Sequence, residues 1–283
     1  MNAISKTEKM KKTAALNVLM AIVICSVSCA DRTPGKKITD KQPSAVSDSD
    51  FVYQYSIMDA LLAGVYDGNM TFGELKRHGD FGLGGFNTLD GELIMNDNEV
   101  YKMRYDGSIH TIPDADSTGI AFVKFFRPDS TFVVRAKGLT YDMLKDSISK
   151  RIARNSIYAI RITGKLKAIQ ARAPHPATKP YLPLAEYLTT GGQYNFDFEN
   201  VSGTFVGFYM PDYMEKTNIP GFHMHFITHD QKQGGHIFNL VTDEPLTVEV
   251  DKAKGITIAE NTHPDWQKLN LKEDRQQELH QVE

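Results

Sequence analysis

The chain has 283 residues, of which 41% are hydrophobic and 24% charged, and its formal net charge is −3. That balance is the one found in globular proteins, with length enough for one large domain or two modest ones. The charge leaves no electrostatic footprint for nucleic acid, and no nucleic-acid partner is expected.

The first twelve residues, MNAISKTEKMKK, carry four lysines and one glutamate, and the apolar run TAALNVLMAIVICSVSC follows. A basic segment before a short apolar one has the pattern of an export signal, expected over residues 1–29. Cys25 and Cys29 are the only cysteines, so the rest of the chain has no disulfide and no thiolate ligand. SVSCAD resembles a bacterial lipoprotein signal with Cys29 as the lipid-bearing residue, although Ser26 stands where that pattern prefers leucine. The expected location is outside the cytoplasm, periplasmic or at the cell surface, with the membrane touched only through a lipid on Cys29. A plain cleaved signal ending near Ala30 and an uncleaved anchor are the alternatives.

Residues 30–50 are polar and rich in Ser, Asp, Lys and Pro, a composition that buries no core and reads as a tether. From Phe51 the pattern is that of a folded domain. A strand and a short amphipathic helix lie in FVYQYSIMDALLAGVYDG, and a further helical turn in TFGELKRHG. LDGE, NDNE and YDGS then separate apolar runs, as a meander of hairpins requires. Two strands flank the Pro-Asp of IAFVKFFRPDSTFVVRA, and TYDMLKDSISKRIAR has helical spacing. SIYAIRITGKLKAIQARAP reads as a strand pair turning at Gly164, and YLPLAEYLTT as a short helix. QYNFDFENVSGTFVGFYMP, GFHMHFITHD, GGHIFNLVTD and LTVEVDKAKGITIAE form a second group of antiparallel strands, before a polar tail that is helical at best. Strands dominate, so the expected class is α+β with two largely antiparallel sheets and few helices.

One stretch carries chemistry. GFHMHFITHDQKQGGHIFNL holds four histidines in twenty residues. In a strand, residues two apart share a face, so His223 and His225 project together while Met224 and Phe226 point away. The glycine pair then returns His236 on a neighbouring strand, within cross-strand reach. Three neutral imidazoles of this kind suit a zinc ion with a position left open. A His-x-His pair alone is more often an exposed strand pair, and His236 is what raises the metal reading. His229 is expected in the loop, and His78, His110, His175, His263 and His280 have no partner spacing. Spacing does not select the reaction: a metal hydrolase, a noncatalytic metal-binding or ligand-binding lipoprotein and a structural domain all remain open at this point.

Three blocks, KRHGDFGLGGFNTLDGEL, RAPHPATKPYLPL and VSGTFVGFYMPDYMEKTNIPGFHMHFITHDQKQGGH, resemble the α-acetolactate decarboxylases in order, and the likeness extends from about residue 50 through the folded part. The resemblance implies a two-sheet protein holding zinc through three histidines and converting 2-acetolactate to acetoin and carbon dioxide. Carried across, the ligands are His223, His225 and His236. Glu92 and Arg172 match the family's active-site glutamate and arginine, and Glu283 matches a glutamate brought back by the C-terminal tail. A homodimer is also implied. The chain departs from the family's usual threonine at Gly85 and from a glutamine near Ala177. The expected division is a β-rich N-terminal subdomain over 51–165 and a metal-binding C-terminal subdomain with an active-site tail over 166–283. The glycines of GDFGLGG are expected to form a wall of the pocket.

Overall fold

The structure, a computed structural model, describes residues 48–282. The expected export signal, Cys29 and Glu283 therefore lie outside the described residues.

In chain order the first half contributes β1 (Phe51–Tyr55), α1 (Met58–Leu62), β2 (Met70–Thr71), α2 (Phe72–Leu75), β3 (Phe81–Phe86), β4 (Glu92–Asn96), β5 (Glu99–Met103), β6 (Ile109–Thr111), β7 (Ser117–Lys124), β8 (Ser130–Val134), β9 (Leu139–Thr140) and α3 (Tyr141–Ser149). The second half contributes β10 (Tyr158–Pro174), α4 (Leu184–Thr189), β11 (Gln193–Met210), β12 (Gly221–Thr228), β13 (Gly234–Thr242), β14 (Leu246–Lys252), β15 (Gly255–Ala259) and α5 (Gln276–Val282). Helices are few and short, as the strand-dominated pattern predicts.

An eight-stranded sheet runs β15-β1-β7-β3-β4-β5-β6, with β2 also on β7. Its hairpins follow local turn chemistry. Asp97 and Asn98 both have positive φ, 51° and 68°, between β4 and β5, which is the two-residue turn whose twist matches the flanking strands. The one parallel pairing of this sheet joins β1 to β15, from Phe51↔Gly255 to Tyr55↔Ala259. A seven-stranded sheet runs β8-β14-β10-β11-β12-β13-β9, and β13 also returns to pair with β10. The strands β10, β11, β12 and β13 therefore form a closed ring.

Two expectations meet different outcomes. Residues around Gly164 do not turn back; β10 is one strand of 17 residues, paired with β11 from Tyr158↔Tyr209 to Pro174↔Gln193. On its other side β10 serves β14 over Tyr158–Thr163 and β13 over Ala168–Arg172. Gly164 sits at that handover, where a Cβ would come within 2.5 Å of Leu246 Cδ2. The glycine marks a close approach rather than a reversal. The expected boundary between 165 and 166 thus falls inside a continuously paired strand, and the described residues lie in one compact unit. The Pro-Asp turn after β7 likewise closes no hairpin: β7 belongs to the first sheet and β8 to the second.

The sheets face each other across a shared apolar layer. Phe81, Leu83, Ile94 and Phe122 of the first sheet join Val206, Phe208 and Ile227 of the second, with Leu279 and Val282 of α5 closing one side. Lys124 Nζ on β7 also bonds Asp251 Oδ2 on β14 at 2.7 Å, a buried ion pair that ties the two sheets together. Among the described residues no helix is long and apolar enough to cross a membrane.

Candidate metal centre

The imidazoles converge through strand periodicity. His223 and His225 share one face of β12, and Met224 and Phe226 on the opposite face are buried in the apolar cluster behind the sheet. His236 of β13 lies directly opposite His225 in the register. The ring centroids are 5.1 Å apart for His223–His225, 4.9 Å for His223–His236 and 5.3 Å for His225–His236. One nitrogen from each ring lies within 4.8 Å of one from each other.

The environment keeps these rings neutral. Relative exposures are 7%, 1% and 7% for His223, His225 and His236. Burial pushes His225 down to about 4 and His223 and His236 well below the usual imidazole range, with the nearby Arg172 cation acting in the same direction on all three. A neutral ring has a lone pair to donate. For His225 the tautomer follows from its partner: Nδ1 donates to the Leu93 carbonyl of β4 at 2.8 Å, which leaves Nε2 as the donor toward the cavity. That Nε2 is buried without a hydrogen bond, and Glu92 Oε2 stands 3.3 Å from it. Two electron-pair donors facing each other at this distance call for a cation or a proton between them. Nδ1 of His223 is buried and unpartnered as well. Three neutral nitrogens, two of them unsatisfied, fit a divalent metal ion.

The other named residues reach the same place from different elements. Glu92 opens β4 immediately after Gly91, whose φ is +100° and where a Cβ would come within 2.5 Å of the Met103 carbonyl. Only glycine lets the chain turn into β4 there, and the turn aims Glu92 at the imidazoles. Arg172 is paired with His236 in the β10–β13 register, and its Nη2 lies 3.2 Å from His236 Nε2. The same Nη2 donates to the carbonyl of Val282, tying the end of α5 to the site. All five side chains border one cavity of about 80 Å³. That is several times the roughly 10–15 Å³ that one water needs.

Some lining residues carry no signal in the sequence. Met58 and Leu61 of α1, Leu184 and Leu188 of α4, Ile120 and Phe122 of β7 make the cavity wall apolar, and Gln193 at the start of β11 adds an amide. Of the GDFGLGG glycines, Gly84 and Gly85 border the cavity; Gly79 and Gly82 lie against β7 instead. Ala177 is buried in the core beside the site, with its N–H donating to the Thr88 carbonyl at 2.6 Å. The remaining histidines stay apart from the cluster. His229 is exposed beyond β12, His78 stacks on Tyr53 at 3.7 Å, and His175 packs on Tyr105 at 4.4 Å. Asp80 and Asp90 hold Arg127 and the Lys102–Arg104 pair.

Residues 52–273 match the family model of alpha-acetolactate decarboxylase. The chain belongs to that family. The alpha-acetolactate decarboxylase of Bacillus subtilis strain 168 is 39% identical over 220 residues, which is 78% of this chain and 85% of the relative. The Bacillus licheniformis decarboxylase is 39% identical over 211 residues, 74% of this chain and 81% of that protein. A crystal structure of the Bacillus subtilis strain 168 alpha-acetolactate decarboxylase superposes with a TM-score of 0.78 at 37% identity, covering 82% of this chain and 98% of that one. The two-sheet architecture with a buried three-histidine group is thus that of an alpha-acetolactate decarboxylase, a carboxy-lyase.

Proposed function

We propose that the chain releases carbon dioxide from 2-acetolactate to give acetoin, with a zinc ion held by His223, His225 and His236. The observation that carries this reading is the buried, neutral, partly unsatisfied imidazole triad in a cavity that also receives Glu92 and Arg172. A zinc ion bound there would supply Lewis acidity to the substrate oxygen on which negative charge develops.

The chain's own residues divide the remaining work. Loss of the carboxylate leaves an electron pair that must pass into the neighbouring ketone, so the substrate has to be held in one orientation. Arg172 is a permanent cation with a planar fork of donors, suited to gripping the carboxylate before it leaves. Its bond to the Val282 carbonyl restricts its rotamers. The apolar wall from α1, α4 and β7 excludes water, which strengthens each charge interaction inside and suppresses early protonation. Glu92, beside the imidazoles, delivers a proton to one face of the product carbon. Glu283 is assigned as a second carboxylate for the same site, on the family resemblance and on its place in the chain directly after Val282.

Acetoin formation from racemic 2-acetolactate, measured before and after chelation and again after zinc is returned, tests the proposal. Turnover that is lost and regained with the metal supports it; absence of acetoin with stoichiometric zinc bound overturns it. We further propose that residues 1–29 export the chain and that Cys29 carries a lipid, which an acylated Cys29 N-terminus in membrane fractions would support. A homodimer is the assembly we expect, and sedimentation of the purified protein tests it.

A further inference from the structure

Among the described residues the polar side chains bordering the cavity are the three histidines, Glu92, Arg172 and Gln193. The first five are accounted for by the metal, the proton and the carboxylate. Gln193 is not. It is half-buried at the start of β11 beside the hydrocarbon of Pro174, Leu184 and Leu188, and its amide makes no hydrogen bond among the described residues. An amide set into an apolar wall loses water without gaining a partner, and a ligand can supply that partner.

The register says where the amide projects. Pro174 pairs with Gln193 and Arg172 with Asn195. Opposite residues share a face, as do residues two apart, so Gln193 stands on the Arg172 face, one diagonal step away at roughly 7–8 Å between backbones. Tyr194 turns to the other face, where it packs on Tyr105 and His175. Asn195 shares the Arg172 face but is exposed and does not border the cavity. His236 flanks Arg172 on its other side. The order across the sheet is thus imidazole, guanidinium, amide.

That order suits a carboxylate. Nη2 of Arg172 meets His236 and the Val282 carbonyl, which leaves the Nε and Nη1 donors for substrate. A carboxylate has about four lone-pair sites, of which one guanidinium edge takes two. A primary amide can fill another without adding charge. Neutrality is useful here, because a second cation would favour the carboxylate most strongly before it leaves and so oppose its departure.

We propose that the Gln193 amide donates to the substrate carboxylate beside Arg172, so that the acid is gripped by a cation and a neutral donor on adjacent strands. The inference rests on the decarboxylase reading above, and the experiment separates the two. Zinc-loaded wild type, Gln193→Leu and Gln193→Glu are assayed with 2-acetolactate for kcat and KM. Each is also titrated with two competitive inhibitors: 2-hydroxy-2-methylpropanoate, which keeps the hydroxyl and carboxylate, and acetoin, which has no carboxylate. Gln193→Leu is expected to raise KM and the inhibition constant of the hydroxy acid by about tenfold or more, the effect of a lost hydrogen bond to a charged group. Its kcat stays within about threefold, as for an interaction already made in the ground state, and acetoin binds as in wild type. Gln193→Glu sets like charges together and weakens the hydroxy acid further than the leucine does. Zinc remains stoichiometric in all three proteins. An unchanged KM in Gln193→Leu, an equal rise for both inhibitors, tighter hydroxy-acid binding by Gln193→Glu than by Gln193→Leu, or zinc lost from either variant overturns the role of Gln193 and leaves the decarboxylase reading in place. No acetoin from zinc-loaded wild type overturns the decarboxylase reading itself, and the inference falls with it.

Discussion

The two walls of the cavity are built differently. The second-sheet wall carries the three histidines and Arg172 on β10, β12 and β13, strands paired on both sides around a closed ring. The facing wall is assembled from shorter pieces: the ends of β3 and β4, part of β7, two helical segments of five and six residues, and the end of α5. Fixed ladder hydrogen bonds position the charge chemistry, and side-chain packing shapes the space that substrate enters. Ligands that must converge on one ion tolerate little backbone drift, whereas an apolar wall can change by one residue and still enclose a substrate.

The sharpest test of that division is His225→Ala. It removes a ligand from the ordered wall, and stoichiometric metal binding should be lost together with turnover, by about a thousandfold or more. Retained metal, read by elemental analysis, would mean that the triad is not the site. Arg172→Lys comes next. The lysine keeps the charge but loses the planar guanidinium, one nitrogen of which meets both His236 and the Val282 carbonyl while the others stay available to a carboxylate. A fall in kcat/KM of about a hundredfold with metal content unchanged is expected.

Acid should expose the ordered wall through stability. His225 is held at about 4 in the folded protein against 6.5 when exposed. Between those values the unfolded chain takes up more protons, so stability is complete above about pH 6.5 and declines as pH falls toward 4. For His225 alone the loss is on the order of 3 kcal/mol. Denaturant unfolding of the metal-free protein across this range should show the decline, and His225→Gln should flatten it. A mutation in the assembled wall should have the smallest and most local effect. Leu279→Ala on α5 removes a buried contact at a cost of about 2 kcal/mol. Faster hydrogen exchange confined to residues 276–282 would mark it, and exchange spreading into β12 would contradict the separation of the walls.

The same contrast governs what could be read in advance. His223 and His225 are legible because a strand has period two, and His236 because a glycine pair shortens the return. Glu92 and Arg172 are not legible from spacing: they come from β4 and β10, and an Asp-Gly turn or a Pro-rich stretch accounts for either locally. Only the family resemblance singles them out. The two-sheet class is visible in the alternation, but the assignment of strands to sheets is not. β8 leaves the first half for the second sheet, and β15 returns from the second half to pair with β1, choices made by contacts far apart in sequence. Gly164 misleads for a related reason, since a glycine required by the approach of Leu246 has the same letter as one that turns the chain. The apolar lining from α1 and α4 is hidden among ordinary core positions.

The return of β13 to β10 bears on how a bound ion would leave. A metal ion escapes most readily when a ligand-bearing strand frays at a sheet edge, but here β12 is bonded to β11 along its length and to β13 over His225–Ile227, and β13 is bonded in turn to β10, so His225 and His236 sit at links of a hoop. Exchange of bound ion with free isotope in solution should therefore follow opening of the whole hoop rather than breathing of one hairpin, and run on the timescale of global unfolding.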